Sequence, residues 1–348
     1  MTRKIERFEQ RLDLIRKSLD IPGMSVAVVY KQAVVLARGF GVVDLTKGIE
    51  ATENTPYPIA SITKTFASAV ILRLVEAGRL DLDEPLSTYD PNYAQWCANV
   101  NSLAPPGATV YNGDSERITV RHHLMHTAQG KPGTNFEYNG ALFARLSTVV
   151  DTLSPKGFVG SIEEDILKPL GMNDTALGPD DPSKAHVVSR MARPYRLDQD
   201  WNLVEPLSIK PPFSNVTAAS GIISTVMDLA RYDVAIDRDL VYSAQTKPQI
   251  WTAAVSPTGQ RFPYGLGWFV WDVPEDRSPP IWHYGWYLDA FSSMLFKVPD
   301  WEATLILLAC TDRASSLFWL GYGDPLRSPF VATFLDSFRP RSQHRRWG

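Results

Sequence analysis

Hydrophobic positions recur at helical spacing at the start of the chain. Within the first twenty residues, apolar side chains stand at Ile5, Phe8, Leu12, Ile15 and Leu19. Steps of three and four residues place these side chains on one face of a helix and leave the charged residues on the other. The pattern predicts an amphipathic first helix, which the pair Pro22-Gly23 ends.

Two strands are predicted directly after this helix. Residues 24–30 and 33–37 are short, apolar and rich in Val, which is typical of buried strands. Lys31 and Gln32 between them leave room only for a tight turn. The chain is therefore predicted to open with a helix followed by a hairpin.

From about residue 61 to residue 240 the pattern is mainly helical. Phe66, Val70 and Leu74 mark the buried face of one helix, and Gly78 is placed to end it. A stretch containing Pro and Gly predicts a long surface loop over residues 101–115.

Three further helices are predicted in this region, over residues 143–150, 162–170 and 221–235. In the last of them, Ser224 is the predicted N-cap and Asp228 lies in the first turn, where a carboxylate is favoured.

Strands return after about residue 260. Apolar, aromatic and β-branched residues, interrupted by Pro and Asp, predict strands over residues 264–271, 281–283, 290–298 and 304–309. A last helix carries Phe330, Phe334 and Phe338 at four-residue spacing. The order of elements predicts one sheet built from both ends of the chain, with a helical region inserted between them.

Composition excludes several classes of protein. A net charge of −3 over 348 residues argues against a nucleic-acid partner. The longest apolar run, residues 303–310, is far too short to span a bilayer. No apolar signal core follows the charged N-terminal residues, so we expect a cytoplasmic protein, although a mature periplasmic or secreted chain would start in the same way.

The cysteines, Cys97 and Cys310, are too few for a zinc-binding set or a disulfide framework. We expect two reduced thiols, as in a cytosolic protein, and a single long-range disulfide remains an alternative.

A candidate nucleophile stands where a loop meets the first helix of the central region. Ser61 and Lys64 are three residues apart, a spacing that brings two side chains onto one face of a helix. An adjacent unprotonated amine can take the proton of a serine hydroxyl and make it a nucleophile. The N–H groups at a helix N-terminus also favour negative charge that develops there.

Five blocks that include this pair resemble, in the same order, the serine β-lactamase and penicillin-binding-protein superfamily, and in particular its class C-like branch. They are residues 61–66, 74–85, 118–127, 167–172 and 219–225. That branch contains β-lactamases, D,D-peptidases, D-amino-acid peptidases and esterases.

The resemblance implies an α+β fold of the α/β-sandwich type. Its antiparallel sheet would be flanked by the N- and C-terminal helices, and a mostly helical domain would be inserted into it. In this chain, residues 1–60 and 260–348 would form the sheet domain and residues 61–259 the helical domain. The active site would lie in the cleft between them.

The second catalytic element of the family is Tyr-x-Asn. The matching positions here are Tyr138, Asn139 and Gly140. By resemblance, Tyr138 would relay a proton between the serine, the lysine and the leaving group. The family's asparagine, which helps to bind an amide of the substrate, is replaced by Gly140, and Asn139 is a candidate to take over its place.

The third element is Lys-Thr-Gly, or His-x-Gly in many relatives. It corresponds to His283, Tyr284 and Gly285, on a predicted edge strand. By resemblance, the N–H groups of Trp286 and Ser61 would form the oxyanion hole, and Gly285 would let the substrate approach the backbone. Because His283 stands in place of lysine, a fixed positive charge for a substrate carboxylate is lost.

Metal chemistry is the main alternative reading of the histidines. His122 and His126 are four residues apart, as in a zinc-binding helix. The intervening glutamate of the metalloprotease motif is absent, and no third ligand is evident. We therefore expect neither a metal nor a cofactor.

The predicted function is a serine hydrolase that cleaves a carboxylic ester or a small amide through an acyl-enzyme on Ser61. The site residues are Ser61, Lys64 and Tyr138 for catalysis, Ser61 and Trp286 for the oxyanion hole, and His283, Gly285 and Asn139 for substrate binding.

Three alternatives remain open at this point. The chain would be a β-lactamase or a D-stereospecific peptidase, a non-hydrolysing ligand sensor or scaffold of the same fold, or an acyltransferase that uses an alcohol or an amine in place of water. The sequence does not indicate the acyl group or the oligomeric state.

Overall fold

A computed structural model describes residues 2–105, 107–206, 216–273 and 278–340 of the chain. No helix among these residues is long and apolar enough to cross a membrane. Cys97 and Cys310 are both buried free thiols, so the alternative of a disulfide between them is wrong.

The strands, in chain order, are β1 (Gly23–Tyr30), β2 (Ala33–Asp44), β3 (Ile49–Glu50), β4 (Tyr57–Pro58), β5 (Arg196–Leu197), β6 (Leu203–Val204), β7 (Ile223–Ser224), β8 (Phe269–Val270), β9 (Ile281–Tyr287), β10 (Phe291–Val298) and β11 (Ala303–Ala309).

The α-helices are α1 (Thr2–Ser18), α2 (Thr63–Glu76), α3 (Tyr93–Leu103), α4 (Val120–Leu124), α5 (Gly140–Ala144), α6 (Leu146–Leu153), α7 (Gly157–Ile162), α8 (Lys168–Leu170), α9 (Ala185–Val188), α10 (Val226–Asp237), α11 (Lys247–Ile250), α12 (Arg313–Ser316) and α13 (Pro329–Phe338).

Shorter turns connect them. A π-helical turn, Glu163–Leu167, joins α7 to α8. The 3₁₀ turns are Ala60–Ile62, Leu86–Thr88, Pro182–Lys184, Pro299–Trp301, Leu320–Tyr322 and Pro325–Arg327.

One seven-stranded sheet draws its strands from both ends of the chain. Its order is β3-β2-β1-β11-β10-β9-β8, and every neighbouring pair is antiparallel. The central contact joins β1 to β11, with Val26 opposite Leu307. The predicted α+β fold with one antiparallel sheet is confirmed, and the boundaries at residues 60/61 and 259/260 remain a prediction.

Both faces of the sheet are covered. Along β1, Met24, Val26 and Val28 point into the core formed with α1 and α13, whereas Ala27 and Val29 point into the core shared with the helical region. Burial on two faces explains why β1 and β11 are almost uninterrupted apolar runs.

The terminal helices pack against each other through aromatic rings. Phe8 of α1 lies edge-on to Phe338 of α13, with ring centroids 5.2 Å apart. The predicted amphipathic first helix and the predicted last helix are confirmed.

The predicted hairpin is also confirmed. Lys31 and Gln32 both have positive φ angles, 51° and 59°, as a two-residue turn requires if it is to match the twist of the flanking strands. Strand β2 runs on to Asp44, well beyond the predicted residue 37.

The prediction for residues 221–235 is wrong at its start. Ile223 and Ser224 form strand β7, which pairs with β4, and α10 begins at Val226. The N-cap is Thr225, whose side chain accepts a hydrogen bond from the N–H of Asp228 (3.1 Å). Ser224 is instead hydrogen-bonded to Thr175 (2.8 Å between hydroxyl oxygens). Asp228 does lie in the first turn, as predicted.

Two other predicted stretches are corrected. The strand expected over residues 264–271 is reduced to β8, because Gly267 turns the chain with a φ of +85°. The loop expected over residues 101–115 begins later, since α3 continues to Leu103.

Strand β9 is not the outermost strand of the sheet. Short β8 covers only its first two residues, pairing with Ile281 and Trp282. From His283 onward, that edge of β9 carries no further strand in the described part of the sheet. This uncovered edge is where the candidate site lies.

Candidate active site

Ser61 lies in the 3₁₀ turn Ala60–Ile62, which leads directly into α2. Ala60 has a positive φ of 48°, which is uncommon for a residue other than glycine. The hydroxyl of Ser293 on β10 donates to the carbonyl of Ile59 (2.7 Å) and ties this turn to the sheet. Ser61 is partly exposed while both its neighbours are buried, so the turn presents this one side chain to solvent.

Lys64 is buried directly behind Ser61. Its side-chain nitrogen lies 2.9 Å from the Ser61 hydroxyl and donates to the carbonyl of Ala219 at 3.0 Å. Burial lowers the pKa of Lys64 from 10.5 to about 7. That change corresponds to roughly 5 kcal/mol in favour of the neutral amine. A neutral Lys64 keeps an N–H on the Ala219 carbonyl and has a lone pair free for the Ser61 proton.

A second buried lysine shows what makes Lys64 different. Lys297 on β10 is equally inaccessible, but its nitrogen contacts Asp233 (3.1 Å) and Asp237 (2.8 Å). Burial acts to lower the pKa of Lys297, yet the two carboxylates outweigh it and the net pKa is raised. Lys64 takes part in no ion pair with a described residue, and the aromatic rings of Tyr138 and Phe143 lie 5.1 and 5.4 Å from its nitrogen.

Tyr138 completes the group around Ser61. Its ring stacks on Phe269 (centroids 5.6 Å apart) and lies beside His126 (4.4 Å). Its hydroxyl is buried and makes no hydrogen bond of good geometry with another described group. Burial first, and then nearby Tyr284, raise the pKa of Tyr138 well above 10, and the Ser61 hydroxyl acts in the opposite direction.

These opposite shifts separate the roles of the two groups. Near neutral pH, Lys64 can lose its proton, whereas Tyr138 keeps its own. Lys64 is therefore suited to act as a base and Tyr138 to act as a proton donor.

The uncovered edge of β9 packs closely against the turn that carries Ser61. A Cβ atom on Gly285 would lie 2.4 Å from the carbonyl oxygen of Ile59 and 2.8 Å from the Cβ of Ala60. Only glycine leaves room for this contact. Gly285 is thus required for strand and turn to meet, a reason different from the predicted approach of substrate.

Trp286 follows Gly285 and lies opposite Ser292 of β10. Its indole N–H donates to Asp312 (2.9 Å) and its side chain is 45% exposed, so it stands at the rim of the site. The participation of its backbone N–H in an oxyanion hole remains a prediction.

His283 lies deeper than the predicted substrate-binding role requires. It is fully buried, and its Nδ1 donates to the carbonyl of Tyr284 (2.8 Å). Because a carbonyl only accepts, the other nitrogen, Nε2, is free to accept from the Tyr264 hydroxyl (2.8 Å). Burial first, and then nearby Lys64, lower the pKa of His283 well below 6.5. A neutral His283 with both nitrogens engaged supplies no positive charge to a substrate.

Asn139 is occupied as well. Its side-chain oxygen caps α5 by accepting from the N–H of Leu142 (3.0 Å). Gly140, the next residue, faces open space: a Cβ atom there would meet nothing within 4 Å. Both residues line a groove of about 660 Å³ beside Tyr138. The predicted substitution of Asn139 for the family's asparagine remains untested.

Three contributors to the site were not assigned a role from the sequence. They are the carbonyl of Ala219, the ring of Phe143 and the side chain of His126. Ala219 stands in one of the five recurrent blocks and His126 in another, so the blocks marked them, although nothing in the local pattern indicated their contacts.

The two histidines considered as metal ligands do not share a helix face. His122 forms a capping box with Thr119 at the start of α4, whereas His126 lies beyond the end of that helix with a φ of +55°. Within residues 2–105, 107–206, 216–273 and 278–340, no group of three or more His, Cys, Asp or Glu side chains is arranged to hold a metal ion.

The chain is similar to a known family and to several known proteins. The family model described as Beta-lactamase matches residues 8–315. Protein flp of Staphylococcus aureus (strain MW2) is 25% identical over 325 residues, which cover 83% of this chain and 59% of that protein. Unguisins hydrolase ungD′ of Aspergillus campestris is 25% identical over 349 residues, covering 87% of this chain and 62% of its own length. The chain thus spans less than two thirds of these curated relatives.

Solved structures share the fold. The octameric penicillin-binding protein homologue from Pyrococcus abyssi superposes with a TM-score of 0.75 at 21% identity, covering 95% of this chain and 77% of that one. A structure of SurE with D-Leu gives a TM-score of 0.69 at 19% identity, covering 97% and 76%. At these identities the likeness concerns the fold alone.

The pKa of Lys64 leads to a prediction about pH. The rate constant for labelling of Ser61 by a fluorophosphonate should fall roughly tenfold per pH unit below pH 7, because protonated Lys64 has no lone pair for the serine proton. The measurement is the labelling rate from pH 5 to pH 9. A Lys64→Arg control, which stays charged throughout, should label slowly at every pH. Equal wild-type rates at pH 5.5 and pH 8 would contradict the assignment.

Proposed function

The chain belongs to the beta-lactamase family, and from this premise we propose that it is a serine hydrolase that cleaves a carboxylic ester or a small amide through an acyl-enzyme on Ser61. The observation that carries the proposal is the buried Lys64, which forms no ion pair with a described residue and whose nitrogen lies 2.9 Å from the Ser61 hydroxyl. This contact is the arrangement that a nucleophilic serine needs.

In the proposed acylation, Lys64 takes the Ser61 proton as the serine oxygen attacks the substrate carbonyl. The backbone N–H groups of Ser61 and Trp286 stabilise the oxyanion. In another serine hydrolase, deletion of one such donor costs about 3–4 kcal/mol of transition-state stabilisation. Tyr138 then gives its proton to the leaving oxygen or nitrogen, and protonated Lys64 restores the proton of Tyr138.

In the proposed deacylation, a water molecule replaces the leaving group. Lys64 takes one proton of this water as its oxygen attacks the acyl-enzyme carbonyl, Tyr138 gives its proton to the departing Ser61 oxygen, and protonated Lys64 then restores the proton of Tyr138. Apart from the substrate and this water, the proposed steps use only side chains and backbone N–H groups of this chain.

Two features support an ester or a small amide over a penicillin or a peptide. Gly140 supplies no carboxamide for a substrate amide, and His283 is neutral and engaged, so it supplies no charge for a substrate carboxylate. Both features weaken recognition of peptide-like substrates without affecting attack by Ser61.

The first alternative is a β-lactamase or a D-stereospecific peptidase. One relative is named a hydrolase of unguisins, and that name does not single out an ester. A non-hydrolysing sensor or scaffold is the second alternative, but it would have no need of Ser61, Lys64 and Tyr138 together. An acyltransferase would share every acylation step and differ only in the acceptor.

The proposal is tested with a panel of short and long p-nitrophenyl esters, a D-alanyl anilide and nitrocefin. Wild type should hydrolyse the esters. Ser61→Ala should lose that activity, on the order of 10⁶-fold in kcat by analogy with another serine hydrolase. Unchanged ester hydrolysis by Ser61→Ala would refute the proposal. Serine-dependent opening of nitrocefin or cleavage of the anilide would favour the first alternative, and an adduct without turnover would favour the sensor.

The open space at Gly140 gives a prediction about specificity. The Cβ atom of Gly140→Asn would meet nothing within 4 Å, and the substitution would return a carboxamide to the third position of Tyr-x-Asn. One hydrogen bond to a substrate amide would raise the ratio of kcat/KM for the anilide over the esters by about 2–10-fold. Gly140→Ala is the control, since it adds bulk without an amide. The same ratio in both variants would contradict a role for this position in amide recognition.

A further inference from the structure

His126 occupies an unusual position for a side chain of its type. It lies just beyond the C-terminal end of α4, it is 3% exposed, and its φ angle is +55°. Left-handed backbone is uncommon in residues other than glycine and is retained where the surroundings impose it, often near functional sites.

Three contacts join His126 to the segment that carries Tyr138. The N–H of Glu137 donates to the His126 carbonyl (2.9 Å). The N–H of Asn139 donates to Nδ1 of the His126 ring (3.1 Å). The two rings lie between these bonds, with the centroids of His126 and Tyr138 4.4 Å apart. One residue therefore holds the backbone on both sides of Tyr138 as well as its ring.

The hydrogen bond to Asn139 also fixes the state of the imidazole. A backbone N–H only donates, so Nδ1 is unprotonated and the single ring proton is on Nε2. Nε2 is buried and has no hydrogen-bond partner in the described part of the chain. The polar contacts of the His126 ring among these residues are thus confined to the Tyr138 segment.

The position of Tyr138 depends on these contacts with His126. Its hydroxyl forms no well-aligned hydrogen bond with a described group, so its place beside Ser61 is set by the backbone and by ring packing. A proton donor that is displaced by about 1 Å can lose on the order of 100-fold in rate.

We propose that His126 is a positioning residue that holds Tyr138 in place for proton transfer, through its left-handed backbone and through the hydrogen bond from Asn139 to Nδ1. The inference rests on the proposed function, because it assigns His126 to the same acyl-transfer reaction. His126 acts through Tyr138 and does not itself contact the reacting atoms.

Two variants test the hydrogen-bond acceptor of His126 and its aromatic ring separately. His126→Phe keeps an aromatic ring against Tyr138 but leaves the N–H of Asn139 without its acceptor. His126→Asn has a side-chain oxygen in reach of the same N–H, and asparagine tolerates the left-handed backbone. The readouts are kcat and KM for a p-nitrophenyl ester, the rate of fluorophosphonate labelling of Ser61, and the melting temperature.

His126→Phe should lower kcat by about 10–100-fold with KM within about twofold of wild type. His126→Asn should restore most of the rate. In a double-mutant cycle, His126→Phe should cost little further once Tyr138→Phe has removed the hydroxyl, because both changes affect the same proton transfer.

The inference is overturned if His126→Phe keeps the wild-type kcat. It is also overturned if the losses of His126→Phe and Tyr138→Phe add in the double mutant, or if His126→Phe and His126→Asn lose rate and melting temperature equally. These outcomes differ from failure of the proposed function. If wild type neither reacts with the fluorophosphonate at Ser61 nor hydrolyses the panel, both proposals fall; if wild type reacts and His126→Phe matches it, only the role of His126 falls.

Discussion

The proposed chemistry of this protein depends on the desolvation of one amine. Lys64 is buried without a carboxylate partner among the described residues, and its pKa falls to about 7. Lys297 is just as buried, yet Asp233 and Asp237 keep it charged. A charged lysine would form a hydrogen bond to Ser61 but could not remove its proton. The absence of a counter-charge thus matters as much as the presence of the lysine.

The rest of the site shields the Lys64 amine from water and keeps it close to its hydrogen-bond partners. The carbonyl of Ala219 and the rings of Tyr138 and Phe143 surround its nitrogen. The two nearby histidines add no charge, since burial holds the pKa of both His126 and His283 well below 6.5.

Local backbone features set the geometry around this amine. The positive φ of Ala60 turns the chain ahead of Ser61, and Gly285 allows β9 to reach that turn. His126 supports Tyr138 from behind. The proposed nucleophile and base, Ser61 and Lys64, stand together at the start of α2, whereas Tyr138 comes from a distant segment, and a few short contacts bring these two parts of the chain together.

Much of the fold was predictable because it depends on local periodicity. The terminal helices, the first hairpin and strands β10 and β11 have patterns that extend over many residues. The start of α10 was not predictable in the same way. Ser224 and Thr225 are both good caps, and the choice between them is made by the pairing of β7 with β4, in which Ser224 lies opposite Tyr57, 167 positions away in the chain.

The candidate site shows the same difference between features set by local sequence and features set by long-range contacts. Spacing and motif alone predicted that Ser61, Lys64 and Tyr138 belong to one site, and the structure places these side chains close together. The carbonyl that holds Lys64, the collision that requires Gly285 to be glycine, and the burial of His283 depend on contacts between distant segments, which no local pattern contains.

The central claim is tested most directly by titrating Lys64 itself. Protein labelled with ¹³C at the lysine ε-carbons would be followed by NMR from pH 5 to pH 11, with Lys64→Arg to assign the signal and Lys297 as an internal reference. The account predicts a Lys64 midpoint near 7, while Lys297 stays charged beyond pH 10. A Lys64 signal that titrates only above pH 10 would contradict the account.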